Sequence, residues 1–111
     1  MKHEISYDHG GVIYNVTTRV EWPVAEAWLK WMREEHTVRV IASGCFTKAR
    51  ILRLLETDET DGPTFAVQYF ADNRDSYNSY INEFAESLRK ESIDKWGEKV
   101  ISFRSVLEIV D

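Results

Sequence analysis

Cysteine is nearly missing from this chain: Cys45 stands alone among 111 residues. No internal disulfide can form, and one chain cannot supply a thiolate cage for a metal. Zinc ribbons and disulfide-stapled secreted folds are excluded together. Positive charge is also in deficit, with 14 Lys and Arg against 19 Asp and Glu and a formal charge of -5. Such a surface repels a phosphate backbone, so no nucleic-acid partner is expected. No apolar run approaches the roughly 20 residues that cross a bilayer, and no charged-then-apolar leader opens the sequence. The expectation is a cytoplasmic protein with no membrane partner. Phosphate-cradling glycine loops, nucleophile elbows and His-Glu zinc helices do not occur, so no motif calls for a cofactor or a metal. The acidic run Glu56 to Asp61 lacks the spaced oxygens and terminal Glu of a calcium loop and reads as a solvated turn.

What is present is apolar material for one core: 43% of residues are hydrophobic and 13% aromatic. At this length that furnishes a single domain. Residues 1–11 are polar, follow neither structural period and end in Gly10-Gly11, which predicts a flexible N-terminal extension before a domain over 12–111. Val12 to Val20 is β-branched and aromatic, a first strand. Behind Pro23 the residues Val24, Ala27, Trp28, Trp31, Met32 and Glu35 recur at helical spacing. Thr37 to Gly44 fits either a further helical turn or a loop. Phe46 to Leu55 loads both faces with aliphatics, as a strand covered on both sides would. The segment Glu56 to Pro63 contains Asp61-Gly62 and reads as a hairpin connection. Thr64 to Ala71 is a third strand. Asp72 or Asn73 can cap a long helix whose stripe of Tyr77, Tyr80, Ile81, Phe84, Ala85, Leu88, Ser92 and Trp96 runs to Gly97. Lys99 to Val110 closes the chain as a strand.

The order β-α-β-β-α-β predicts an α+β, ferredoxin-like sandwich: a four-stranded antiparallel sheet in order 4-1-3-2 with both helices on one face. Strand alternation then assigns Tyr14, Val16, Ile51, Leu55, Phe65, Val67, Tyr69, Ile101, Phe103 and Leu107 to the helix side. The open side receives Ile13, Leu52, Leu54, Ala66, Phe70, Val100 and Val106. A bare face this apolar predicts a homodimer formed through the open sheet face. The same alternation places Asn15, Arg50, Gln68 and Arg104 on that face, with Glu108 further along. Buried polar groups must be paired. Two readings follow. The four residues pair with one another or with the partner and fix dimer register, or they line a pocket in the dimer interior. In the second reading Arg50 and Arg104 grip a small anionic ligand while Asn15 and Gln68 orient it.

Residues 13–111 resemble an uncharacterised bacterial family, the domain of unknown function numbered forty-two eighty-six. The residues that carry the likeness are IYNVT at 13 to 17, Trp28, Lys30-Trp31-Met32, Glu35-His36, Gly44, Phe46 and Ala49 to Leu55. Ala66 to Tyr69, Tyr77, Leu88-Arg89, Gly97 and Phe103 to Ser105 complete them. The resemblance implies a fold similar to dimeric α+β barrels and no particular activity. It also implies that the family's own start corresponds to Val12, with the preceding eleven residues an added segment.

Within the domain His36 is the only histidine, placed near the end of the first helix. Its ordinary ionisation suits general acid-base work, whereas a helix C-terminus also favours it through the dipole alone. Trp22, Trp28, Trp31 and Trp96 with Tyr69, Tyr77 and Tyr80 read as core or as stacking surfaces for a ligand. Cys45 reads as an inert thiol. Three functional classes stay open: a small-anion binding module, a cofactor-independent oxygenase or isomerase of the dimeric barrel type with His36 as its candidate, and a protein-interaction module whose first contact would be Trp22.

Overall fold

The computed structural model describes residues 10–111, and of the extension expected over residues 1–11 all but Gly10 and Gly11 lies outside the described residues. Four strands, β1 (Val12–Val20), β2 (Lys48–Arg53), β3 (Thr64–Ala71) and β4 (Val100–Glu108), pair antiparallel in the order β2-β3-β1-β4. This is the expected 4-1-3-2 order read from the other edge. β1 and β3 take the central places because their alternation is strict: Val12, Tyr14, Thr18 and Val20 face Phe65, Val67, Tyr69 and Ala71 in one buried layer.

Four helices cover that layer. α1 (Trp22–Trp31), with Pro23 in its first turn, runs into a π-helical turn over Met32–His36 and continues as α2 (Thr37–Ala42). The ambiguous Thr37 to Gly44 segment is therefore mostly helix, ended by Gly44 at φ 80°. The second long helix is broken into α3 (Arg74–Glu83) and α4 (Ala85–Trp96) at Phe84, which leaves the helical region at φ -124°. Asn73 caps α3, its side-chain oxygen accepting from the Ser76 N–H at 2.9 Å. Trp28, Trp31, Met32 and Val40 from the first pair and Tyr80, Ala85, Leu88 and Trp96 from the second complete the core.

The fourth strand corrects the expected sheet faces. Val16 lies opposite Arg104 and Tyr14 opposite Val106, so Val100, Arg104, Val106 and Glu108 project to the helix side and Ile101, Phe103 and Leu107 to the open side. The reverse was expected. Apolar residues sit on both faces of this strand, so its own pattern does not choose; pairing with β1 does. As an edge strand beyond the cover of the helices it is solvent-exposed along most of its length. β2 is also shorter than expected and leaves Leu54 and Leu55 exposed in the connection to β3.

Candidate functional site

The four polar residues expected on one face divide between two. Asn15, Gln68 and Arg50 lie side by side on the open face, where Asn15 pairs with Gln68 and Gln68 with Arg50 across the strands. The Gln68 amide donates to Asn15 Oδ1 at 3.2 Å, and Asn15 Nδ2 donates to Thr17 Oγ1 at 3.1 Å. Asn15 is thus buried and satisfied within the chain, and Arg50 is exposed near the sheet edge. The apolar part of this face is Ile13, Leu52, Ala66, Phe70, Ile101, Phe103 and Leu107, with Phe103 63% and Ile101 58% exposed, and Thr17, Arg19, Lys48, Thr64 and Ser105 share the face with them.

Arg104, itself largely exposed, lies on the other face and lines the rim of a cavity of about 50 Å³ between sheet and helices. That is several times the roughly 10–15 Å³ that one water requires. Its floor is Tyr14, Val16, Thr18, Val67 and Tyr69, with Ser102 and Arg104 from the edge strand. Trp28, Met32, His36, Tyr80, Arg89 and Ser92 form its roof. At its centre the Tyr14 hydroxyl accepts two hydrogen bonds, one from Arg104 Nε and one from an Arg89 terminal nitrogen, both at 2.9 Å. The Arg89 guanidinium also lies 6.0 Å from the centre of the Tyr14 ring. Among the described residues neither arginine makes an ion pair with a carboxylate. Two guanidiniums therefore converge on one phenol oxygen. A further hydroxyl pair, Thr18 and Ser102 at 2.7 Å, closes the floor.

His36 reaches the cavity through the π-turn. The Thr37 N–H bonds to the Met32 carbonyl five residues back, and the Thr37 hydroxyl donates to the same oxygen at 2.7 Å. Within this wider turn the His36 ring stacks on Trp31, with centroids 4.7 Å apart. Burial pushes the imidazole down to about 4; Glu91 pulls it upward and Arg39 adds to the depression. The ring is neutral at pH 7, and its buried Nδ1 has no hydrogen-bond partner among the described residues, nor has the Nε of Arg89. Burial likewise raises the phenols of Tyr69 and Tyr80 above their ordinary range, which keeps both protonated.

Arg89 and Tyr14 are the site residues that reading the sequence missed. Tyr14 was assigned to the core, where its ring does belong: it packs on Tyr69, Tyr77, Tyr80 and Phe46. Arg89 carried a usable signal, since it stands four residues after Ala85 and three before Ser92, a cation on the buried stripe of α4. Trp22, the candidate contact of an interaction module, is 49% exposed, and its indole N–H donates to the Glu59 carbonyl at 2.8 Å. That bond ties the acidic connection to the start of α1.

Residues 11–110 match the model of a family described as Domain of unknown function (DUF4286). No curated protein matches the chain. Among solved structures, a dimeric ferredoxin-like protein from an uncultured marine organism superposes with a TM-score of 0.71 at 12% identity, covering 91% of this chain and 96% of that one. The cofactor-independent oxygenase SnoaB from Streptomyces nogalater gives 0.66 at 10% identity over 92% and 95%. A dimeric ferredoxin-like protein of unknown function from Thermobifida fusca gives 0.57 at 12% identity over 97% and 100%. At such identities the likeness establishes the fold.

Proposed function

Because the chain belongs to the DUF4286 family, whose description assigns no activity, we propose a function from its own residues: a homodimer, joined through the open sheet face, that binds a small anion in the helix-side cavity. The observation that carries the ligand reading is the convergence of Arg89 and Arg104 on the Tyr14 hydroxyl without a carboxylate between them. The two guanidiniums, Arg104 exposed and Arg89 partly buried, meet at one oxygen, and a carboxylate or phosphate placed beside them would accept charge-assisted hydrogen bonds from both. The aromatic walls of Trp28, Tyr69 and Tyr80 would hold a small organic body behind the anionic head. The arginine pair expected for the ligand changes accordingly: Arg104 acts with Arg89, while Arg50, Gln68 and Asn15 belong to the dimer face.

The dimer reading rests on the exposed Ile101, Phe103, Leu107 and Leu52, which share the open face. Two of the structures similar to this chain are dimeric ferredoxin-like proteins.

Calorimetric titration with phosphate and with pyruvate tests the site. Removing one charge-assisted bond costs about 1.5–3 kcal/mol, so Arg89→Ala and Arg104→Ala should each weaken binding by roughly 10- to 100-fold. Arg50→Ala should leave binding unchanged. The opposite pattern, with Arg50 essential and Arg89 dispensable, would return the ligand to the open face.

A further inference from the structure

Two phenols in the cavity wall have nothing in the chain to donate to. Tyr69 is 2% and Tyr80 3% exposed, and among the described residues neither hydroxyl has a hydrogen-bond partner. The Nδ1 of His36 and the Nε of Arg89 are unpartnered and also sealed off; the two phenol oxygens are not sealed. Packing accounts for the rings but not for the oxygens, since phenylalanine would fill the same space without a polar atom to desolvate. The rings surround the oxygen on which the arginines converge, with Tyr14 6.0 Å from Tyr69 and 5.7 Å from Tyr80 between centroids. Burial raises both phenols, so each keeps its proton at pH 7. Charge acts on them as well: Tyr80 and Tyr14 push Tyr69 further up, Tyr14 does the same to Tyr80, and Arg89 and Arg104 pull Tyr80 down. Three phenols and two guanidiniums thus sense one another across one small chamber.

We infer that this chamber is a receptor for a tetrahedral oxyanion, the phosphate group of inorganic phosphate or of a small phosphomonoester, held by Arg89 and Arg104 and completed by the Tyr69 and Tyr80 hydroxyls. The inference rests on the anion-binding reading of the same cavity and selects between the two acids that reading admits. The placement of the donors makes the selection. A carboxylate has two oxygens in one plane, and a single guanidinium fork satisfies both. Here donors come from two sides, Arg104 and Tyr69 from the sheet, Arg89 and Tyr80 from the helices. Oxygens at the corners of a tetrahedron face sheet and helices at once. A phosphate dianion also brings two negative charges to two cations, where a carboxylate brings one. Among the described residues that line the cavity none carries a carboxylate, so nothing opposes the second charge. Arg104 is exposed at the rim, and the substituent of a monoester leaves toward solvent there.

Calorimetric titration of phosphate, methyl phosphate and pyruvate into the wild-type protein, Tyr69→Phe and Tyr80→Phe tests this. Phosphate should bind the wild type at least about tenfold more tightly than pyruvate. Each phenylalanine variant should lose roughly 10- to 100-fold in phosphate affinity, the loss of one hydrogen bond to a charged group, and keep pyruvate within about threefold. Methyl phosphate bound like phosphate makes the phosphoryl head the ligand; methyl phosphate rejected makes it the free ion, and the inference stands in either case. Thermal unfolding without ligand separates lost binding from lost structure: a hydroxyl with no partner in the chain can be removed without lowering the melting temperature. A lower melting temperature in both variants would mark the hydroxyls as structural and overturn the inference. So would pyruvate bound as tightly as phosphate, or phosphate affinity unchanged in both variants, each of which leaves anion binding intact. Absence of binding by both phosphate and pyruvate would overturn both readings.

Discussion

Burial lowers the proton affinity of the His36 imidazole from its ordinary 6.5 to about 4, so between these values the unfolded chain holds more protons than the folded one. Stability from this residue is fully present above about pH 6.5 and is lost as pH falls toward 4, by as much as about 3 kcal/mol. Urea unfolding at pH 7.5 and pH 4.5 should show a smaller acid loss in His36→Gln than in the wild type; equal losses would mean that the ring is not desolvated as described. The same residue shows how far a sequence can be read at this scale. Its candidacy was visible because it is the single histidine of the domain, but its placement depends on a π-turn, which has no composition of its own. Arg89 was passed over although its cation stands beside the stripe of α4, because the stripe itself reads as core.

Among the elements, the connection between β2 and β3 depends on one glycine. Gly62 lies at φ 154°, and a side-chain carbon there would stand 1.8 Å from the Val20 carbonyl oxygen. The contact is backbone against backbone, beside the bond in which the Val20 N–H donates to Pro63 at 2.9 Å. Gly62→Ala should therefore destabilise the fold by about 2–4 kcal/mol, while Gly44→Ala, whose added carbon meets nothing, should cost less. Thermal or urea unfolding of the two variants checks the difference. The sequence marked Asp61-Gly62 as turn chemistry, yet the need for glycine comes from β1, forty residues upstream. Strands β1 and β3 were legible to the residue because each has one apolar face. β4 was legible as a strand but not in its facing, since Val100 and Ile101, and again Val106 and Leu107, are apolar on both sides. The break at Phe84 leaves no trace because helical spacing runs through it.

For the whole molecule, the order of elements was enough to specify the fold, because the succession β-α-β-β-α-β admits few right-handed arrangements. The proposed dimer uses the open face. Phe103→Asp places a charge on the open face beside Ile101 and opposite Thr17, and should convert a dimer to a monomer in sedimentation velocity at micromolar protein while leaving phosphate binding in place. A wild-type protein that sediments as a monomer would remove the dimer reading. One strand takes part in both surfaces: Phe103 belongs to the open face and its neighbour Arg104 to the cavity. Deleting a single codon ahead of Phe103 is therefore unlike any substitution in β4. It shifts the reading of every later side chain by one place, so that the aromatic ring enters the polar chamber and the guanidinium surfaces on the greasy side. Evolution can exchange residues along this strand one at a time, but it cannot change the strand's length by one without losing both surfaces in the same event.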